Sequence, residues 1–158
     1  STVIVGGTSR SSDLKLSLAK KHGADFTIQT DKEDFAKAVM QNTSGRGIDM
    51  YIEASGAEQM IMTVPDIIVK GGSVCAVGLT GKSDIRFNWD KTMYRACTLT
   101  FNVSSSSSAW QMGLDMLSGG RINPRPLITH RFRLAEFNDA IECIRKNQAI
   151  KVILKPWD

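Results

Sequence analysis

STVIVGGTSRSSD, residues 1–13, decides how the rest of the chain is read. A short β-branched run meets two glycines and a string of small polar residues, and a helical pattern follows. A strand that ends on such a turn and leads into a helix is one unit of a parallel α/β sheet. The open question is which strand it is. A phosphate-cradling first turn carries G-x-G-x-x-G. Here Arg10, Ser11 and Ser12 stand where further glycines would be needed.

Composition narrows the class. The chain has 158 residues, 42% hydrophobic and 23% charged, the balance of one globular domain. At that length about two thirds of the unfolded surface is normally buried. The net charge of +4 comes from twenty basic against sixteen acidic residues. Lys20, Lys21, Arg46, Lys70, Arg95, Arg121, Arg125 and Arg131 are scattered. They form no basic stripe interleaved with aromatics, which argues against nucleic acid as a partner. Cys75, Cys97 and Cys143 lack the spacing of a metal or redox motif and read as small apolar residues of a reduced core. With only His22 and His130 in addition, a metal site within this chain is not expected. No apolar run reaches the roughly twenty residues of a membrane span and no secretory leader is seen, so the expected location is the cytoplasm or an organelle.

Strands and helices alternate along the chain. Residues 3–5 read as a buried strand and 13–22 as a helix with Leu14, Leu18 and Ala19 on one face, stopped by Gly23. Ser11, Ser12 and Asp13 are N-cap types. Residues 26–29 form a strand and 34–41 a helix with Phe35, Ala38 and Val39 inward. Residues 50–54 read as a second buried strand, and 57–69 as a helix that Pro65 must kink or break. Gly71 and Gly72 are expected to end that helix before a strand at 73–77. Residues 98–103 form the next strand. Five serines, 104–108, then lead into a helix at about 109–117, with the last of them as its cap. After Gly119 and Gly120 the region of Pro124 and Pro126 is extended. Residues 136–146 carry Phe137, Ala140, Ile141 and Ile144 at helical spacing, and 150–154 form a final strand. The fold class is therefore α/β with a largely parallel sheet, without internal repeats.

Several stretches carry a family resemblance. "LAKKHGAD" (18–25), "GRGIDMYIEASG" (45–56), "KGGSVCAVGL" (70–79) and "INPRPLITHRFRLAEFNDAIECIRKNQAIKVILKP" (122–156) are similar to the zinc-dependent medium-chain dehydrogenase/reductase family of alcohol, polyol and threonine dehydrogenases, the last most of all to its sorbitol dehydrogenase-like branch. Their order and spacing make the combination specific. The resemblance implies a Rossmann-type, doubly wound parallel sheet. It aligns "TVIVGGTSR" with the second strand, so the first strand and its Gly-rich turn are absent and the sheet is truncated. Residues 1–125 are then a partial nucleotide-binding domain. Residues 126–158 are a segment that the family packs on a catalytic domain lying upstream. A short-chain dehydrogenase opening is the rival reading of "VIVGGTS". It lacks the further glycines, and no Tyr-x-x-x-Lys follows, since Tyr51 is followed by Ser55 and Tyr94 by Thr98.

The turn after that second strand bears on the cofactor. A Rossmann protein that prefers NAD places an acid there to accept the ribose hydroxyls. Thr8, Ser9 and Arg10 occupy this turn, with no acid before Asp13. Small hydroxyls and an arginine suit a 2′-phosphate, which favours NADP over NAD. Arg10 as a solvated side chain, with Thr8 and Ser9 as caps, is the other reading. By resemblance, Ser55 and Gly56 pass near the adenosine, Val77, Gly78 and Leu79 lie beside the nicotinamide, and the main chain of Phe101 and Asn102 holds its carboxamide. Glu53, at the end of a buried strand, reads as a structural acid with hydrogen-bond partners rather than a base. His130 reads as structural and Met60 and Met62 as packing.

The implied activity is hydride transfer between an alcohol, polyol or ketone and a nicotinamide dinucleotide. Zinc and every catalytic residue belong to the upstream domain, so this chain supplies none. The resemblance also implies a homo-oligomer joined through the family's sixth strand (98–103). A non-catalytic fragment with nucleotide affinity or an interaction role, and a zinc-free quinone-reductase-like enzyme, remain as alternatives. In a 3-2-1-4-5-6 sheet the absent first strand is central. Strands two and three should therefore separate from four to six, and the last strand should lose its partner.

Overall fold

The computed structural model describes residues 1–157. The side chains expected to cap at Ser11, Ser12 and Asp13 lie outside the described residues. Among the described residues, seven parallel strands fall into three sheets: β1 (Ile4–Gly7) with β2 (Phe26–Gln29), then β3 (Ile48–Glu53), β4 (Ile68–Ala76) and β5 (Thr98–Phe101) in that order, then β6 (Ile128–Arg133) with β7 (Lys151–Lys155). The chain divides into two compact units, one of Ser1–Lys32 with Ser105–Asp158 and one of Glu33–Ser104.

In the first unit, β1 pairs with β2 from Ile4 opposite Phe26 to Gly7 opposite Gln29. Buried Ile28 and Leu16 fill the space beneath them. A Cβ on Gly7 would meet Leu16 Cδ2 at 3.0 Å, so the strand end sits directly on that side chain. The segment expected to be one helix is instead a 3-10 turn (Ser9–Ser11), a π-turn (Ser12–Leu16) and then α1 (Ser17–Lys21). Leu16, rather than Leu14, Leu18 and Ala19, is the buried residue, because the wider turn changes which side chain faces the strands. Gly23, at φ 99°, ends α1 as expected.

The rest of that unit holds α6 (Ser107–Ser118), a 3-10 turn (Arg125–Leu127) in place of the expected extended stretch, and α7 (Phe137–Arg145). The cap of α6 is Ser106, whose Oγ accepts the Ala109 N–H at 3.2 Å, and not the last serine of the run. Strand β6 was not foreseen. It gives β7 a parallel partner, which corrects the expectation that the final strand stands alone. On α7, Ala140 and Cys143 are buried, whereas Phe137 and Ile144 are half exposed.

In the second unit, α2 (Phe35–Asn42) begins where Asp34 accepts the Lys37 N–H at 2.9 Å, and it buries Phe35, Ala38 and Val39 as their spacing required. Phe35 packs on Tyr51 of β3. The helix expected at 57–69 is broken into α3 (Glu58–Met62) and α4 (Val64–Ile67), with Pro65 in the first turn of the second piece, where its missing N–H costs nothing. Pro65, Ile67 and Ile68 are almost wholly buried. Gly71 and Gly72 do not stop a helix. They lie inside β4, with Gly71 at φ 76° and the register with β3 shifting between Ile48 and Met50. The glycines form an irregular strand entry that the sequence pattern read as a helix end. Strand β3 is also not buried throughout: Tyr51 and Glu53 point inward, while Met50 and Ile52 are 65% and 60% exposed. Helix α5 (Trp89–Met93), capped by Asn88, precedes β5.

Candidate functional site

The carboxyl ends of β3, β4 and β5 come together in the second unit. The pairing of Glu53 with Ala76 and of Ala76 with Phe101 sets the three ends level. The turns that follow contain Ser55 and Gly56, then Val77, Gly78 and Leu79, then Asn102. Parallel strands place ligand-facing loops at this end. Ser55, Val77, Leu79, Phe101 and Asn102 are all exposed there.

Glu53 organises these turns. It is 4% exposed, and its carboxylate accepts the Ser55 N–H at 2.9 Å, the Ser55 hydroxyl at 2.5 Å and the Gly56 N–H at 3.0 Å. Its main-chain carbonyl accepts the N–H groups of Val77 and Gly78 at 2.8 and 3.0 Å. The acid read from sequence as structural is thus fully engaged in holding two turns. Gly56 (φ 66°) and Gly78 are needed for the same contact. A Cβ on Gly56 would lie 2.1 Å from the Leu79 carbonyl oxygen, and one on Gly78 would lie 2.2 Å from the Gly56 nitrogen. Their glycine character lets one turn approach the other.

Asn102 extends this arrangement. Its N–H donates to the Ala76 carbonyl at 2.9 Å, and its side-chain amide donates to Cys75 Sγ at 3.1 Å. The main-chain donors of Val77, Gly78 and Asn102 are therefore spent within the unit. Cys75 is the participant that sequence reasoning missed, having been read only as a packing residue. Beside α3 and α4 lies an open cleft of about 490 Å³ lined by Glu58, Gln59, Met62, Thr63, Asp66 and Arg86. Glu58 is paired there with Lys82 at 2.6 Å and accepts the Arg86 N–H at 2.9 Å, which together hold its carboxyl below the usual range. Asp66 is paired with Lys91. Met62 is partly exposed on this cleft rather than packed away.

The turn after β1, in the first unit, has its own chemistry. Thr8 and Arg10 are exposed and Ser9 is half-buried. Ser9 donates its N–H to Asp31 Oδ1 and its hydroxyl to Asp31 Oδ2, both at 2.5 Å. The hydroxyl bond, followed by the N–H, lowers the Asp31 pKa. Asp31 lies just beyond β2, so the neighbouring strand brings an acid to a turn whose own sequence carries none. A spacing rule applied along one strand could not find it. In the same unit His130 Nδ1 shares a 3.0 Å hydrogen bond with Thr129 Oγ1 and the ring stacks on Phe132, in keeping with a structural role.

Among the described residues, no three His, Cys, Asp or Glu side chains gather where they could hold a metal ion. Cys75, Cys97 and Cys143 are free thiols. No helix among the described residues is long and apolar enough to cross a membrane.

Parallel strands, crossover helices and turns gathered at strand carboxyl ends define a Rossmann-type α/β fold. The chain belongs to the zinc-binding dehydrogenase family, whose model, "Zinc-binding dehydrogenase", matches residues 2–119. It is 32% identical over 157 residues to a sorbitol dehydrogenase of Halalkalibacterium halodurans, covering 99% of this chain and 46% of that protein. It is 32% identical over 149 residues to an L-threonine 3-dehydrogenase of Pyrococcus horikoshii, covering 92% and 42%. Among solved structures, an alcohol dehydrogenase from Thermotoga maritima superposes with a TM-score of 0.83 at 28% identity, over 99% of this chain and 44% of that one. The chain spans less than half the length of these relatives.

Proposed function

We propose that these 158 residues supply the nucleotide-recognition part of an NAD(P)-dependent alcohol or polyol dehydrogenase. The observation that carries this reading is the level carboxyl ends of β3, β4 and β5, where Ser55, Val77, Leu79, Phe101 and Asn102 are exposed around a turn pair fixed by Glu53. When bound, a nicotinamide dinucleotide supplies or accepts the hydride exchanged with the substrate carbon. The residues of this chain bind and orient. Ser55 and Gly56 face the adenosine side, Val77, Gly78 and Leu79 flank the nicotinamide, and Phe101 and Asn102 border its carboxamide. The N–H groups of Val77, Gly78 and Asn102 are internally bonded and hold these turns rather than the nucleotide.

In the same reading, Thr8, Ser9 and Arg10 take the adenosine ribose, and the Arg10 guanidinium favours a 2′-phosphate, hence NADP over NAD. In this reading zinc and the proton-transferring groups belong to a part of the protein outside these residues. We divide the chain by role at residues 1–125 for the cofactor and 126–158 for packing on that other part. The exposed strand β5, paired on one side only, supports a homo-oligomer joined along its free edge. Free thiols accord with a reducing, cytoplasmic setting.

Fluorescence titration with NADPH and NADH tests this, together with dehydrogenation assays on sorbitol, threonine and simple alcohols in the protein that contains the chain. Saturable binding that separates the two nucleotides, with turnover of one substrate class, is expected. Binding without turnover of any of these would favour a non-catalytic nucleotide-binding role. No binding would refute the reading.

A further inference from the structure

The Ser9–Asp31 clamp has a consequence for which nucleotide the turn prefers. The β1–β2 register sets Gly7 opposite Gln29, and the Thr30 N–H donates to the Gly7 carbonyl at 2.9 Å, one step beyond the paired strands. This fixes Asp31 beside Ser9, one residue from Arg10. Both donors of Ser9, its N–H and its hydroxyl, are directed to the two oxygens of one carboxylate. A hydroxyl that gives its proton to a carboxylate presents only lone pairs to a ligand. Such an oxygen accepts from a ribose hydroxyl and offers nothing to a phosphate dianion. The carboxylate is also exposed, and its charge opposes that of an incoming phosphate.

We propose that Asp31 is a specificity-determining positioning residue, which restrains the preference of the Thr8-Ser9-Arg10 turn for a 2′-phosphate by holding the Ser9 hydroxyl proton and placing a negative charge against the turn that carries Arg10. The proposal rests on the reading of this turn as the adenosine-ribose site. Arg10 attracts the phosphate and Asp31 limits that attraction, so the two nucleotides are separated less than the arginine alone would separate them.

Calorimetric titration with NADPH and NADH, on the wild-type protein and on Asp31→Asn, tests it. The substitution frees the Ser9 hydroxyl to donate and removes the charge. The NADPH-to-NADH affinity ratio should rise about fivefold or more, chiefly through tighter NADPH binding, and the gain should shrink in high salt. Asp31→Ser, which keeps an oxygen without the charge, should move the ratio in the same direction and serves if the asparagine variant folds poorly. Ser9→Ala, which keeps the carboxylate, should give no gain. A clamp that only stabilises the turn would weaken both nucleotides alike. An unchanged or lowered ratio in Asp31→Asn and Asp31→Ser overturns the proposal. If the wild-type protein discriminates and these variants do not shift it, this inference alone fails. If the wild-type protein binds neither nucleotide, the reading of the turn fails with it.

Discussion

Gly56 and the carbonyl of Leu79 are in such close approach that a methyl group on Gly56 would lie 2.1 Å from the oxygen. Gly56 also sits at φ 66°, a conformation that side chains disfavour. Both penalties fall on the turn pair that ends β3 and β4. Gly56→Ala should therefore cost about 2–4 kcal/mol, read from urea denaturation. A loss below about 1 kcal/mol would show that the two turns can part.

Glu53 holds those turns from below. Replacing it with glutamine keeps the size and removes one acceptor, so an NH2 group must face a backbone or hydroxyl donor. With the side chain buried, Glu53→Gln should cost about 2–3 kcal/mol of stability. It should also weaken nucleotide binding, because the Ser55–Gly56 turn loses part of the carboxylate anchor that holds it. Unaltered stability would contradict the role assigned to this carboxylate.

Tyr51, buried on β3, has its phenol pushed upward by burial and then by the neighbouring Glu53 charge, with a hydrogen bond to Thr63 acting in the opposite sense. The folded state thus holds its proton above the unfolded value of about 10. The stability associated with it is complete below about pH 10 and is lost as pH rises further, because the unfolded chain ionises first. Melting temperature measured from pH 8 to 11 should fall more steeply in the wild-type protein than in Tyr51→Phe. Parallel curves would exclude this contribution.

Arg10→Ala tests the turn after β1. NADPH affinity should drop about tenfold and NADH affinity should change by less than about twofold, measured by fluorescence titration. An equal loss for both would make Arg10 a general contributor to nucleotide binding rather than a reader of the 2′-phosphate.

How much of this was legible beforehand depends on the range of the interactions. Helix α2 was clear because Phe35, Ala38 and Val39 repeat at 3.6-residue spacing and Asp34 caps them, all local signals. The break near Pro65 was local too. Gly71 and Gly72 misled because a glycine pair marks a helix end and an irregular strand equally well, and only pairing with β3 decides between them. Strand β6 escaped notice since Pro124 and Pro126 obscure its start and its parallel partner lies beyond a helix. At the candidate site, Glu53 was legible as a structural acid from its place at a strand end. Asp31 and Cys75 were not, because each acts on a residue that another strand brings alongside.

Nucleotide choice in the proposed function depends on the ribose-facing role of Thr8, Ser9 and Arg10. A crystal structure of the protein with NADPH tests that role most directly. The 2′-phosphate should form an ion pair with the Arg10 guanidinium, with Ser9 Oγ within hydrogen-bond reach of a ribose hydroxyl. A pyrophosphate lying against Gly6 and Gly7, or a 2′-phosphate turned to solvent away from Arg10, would contradict it.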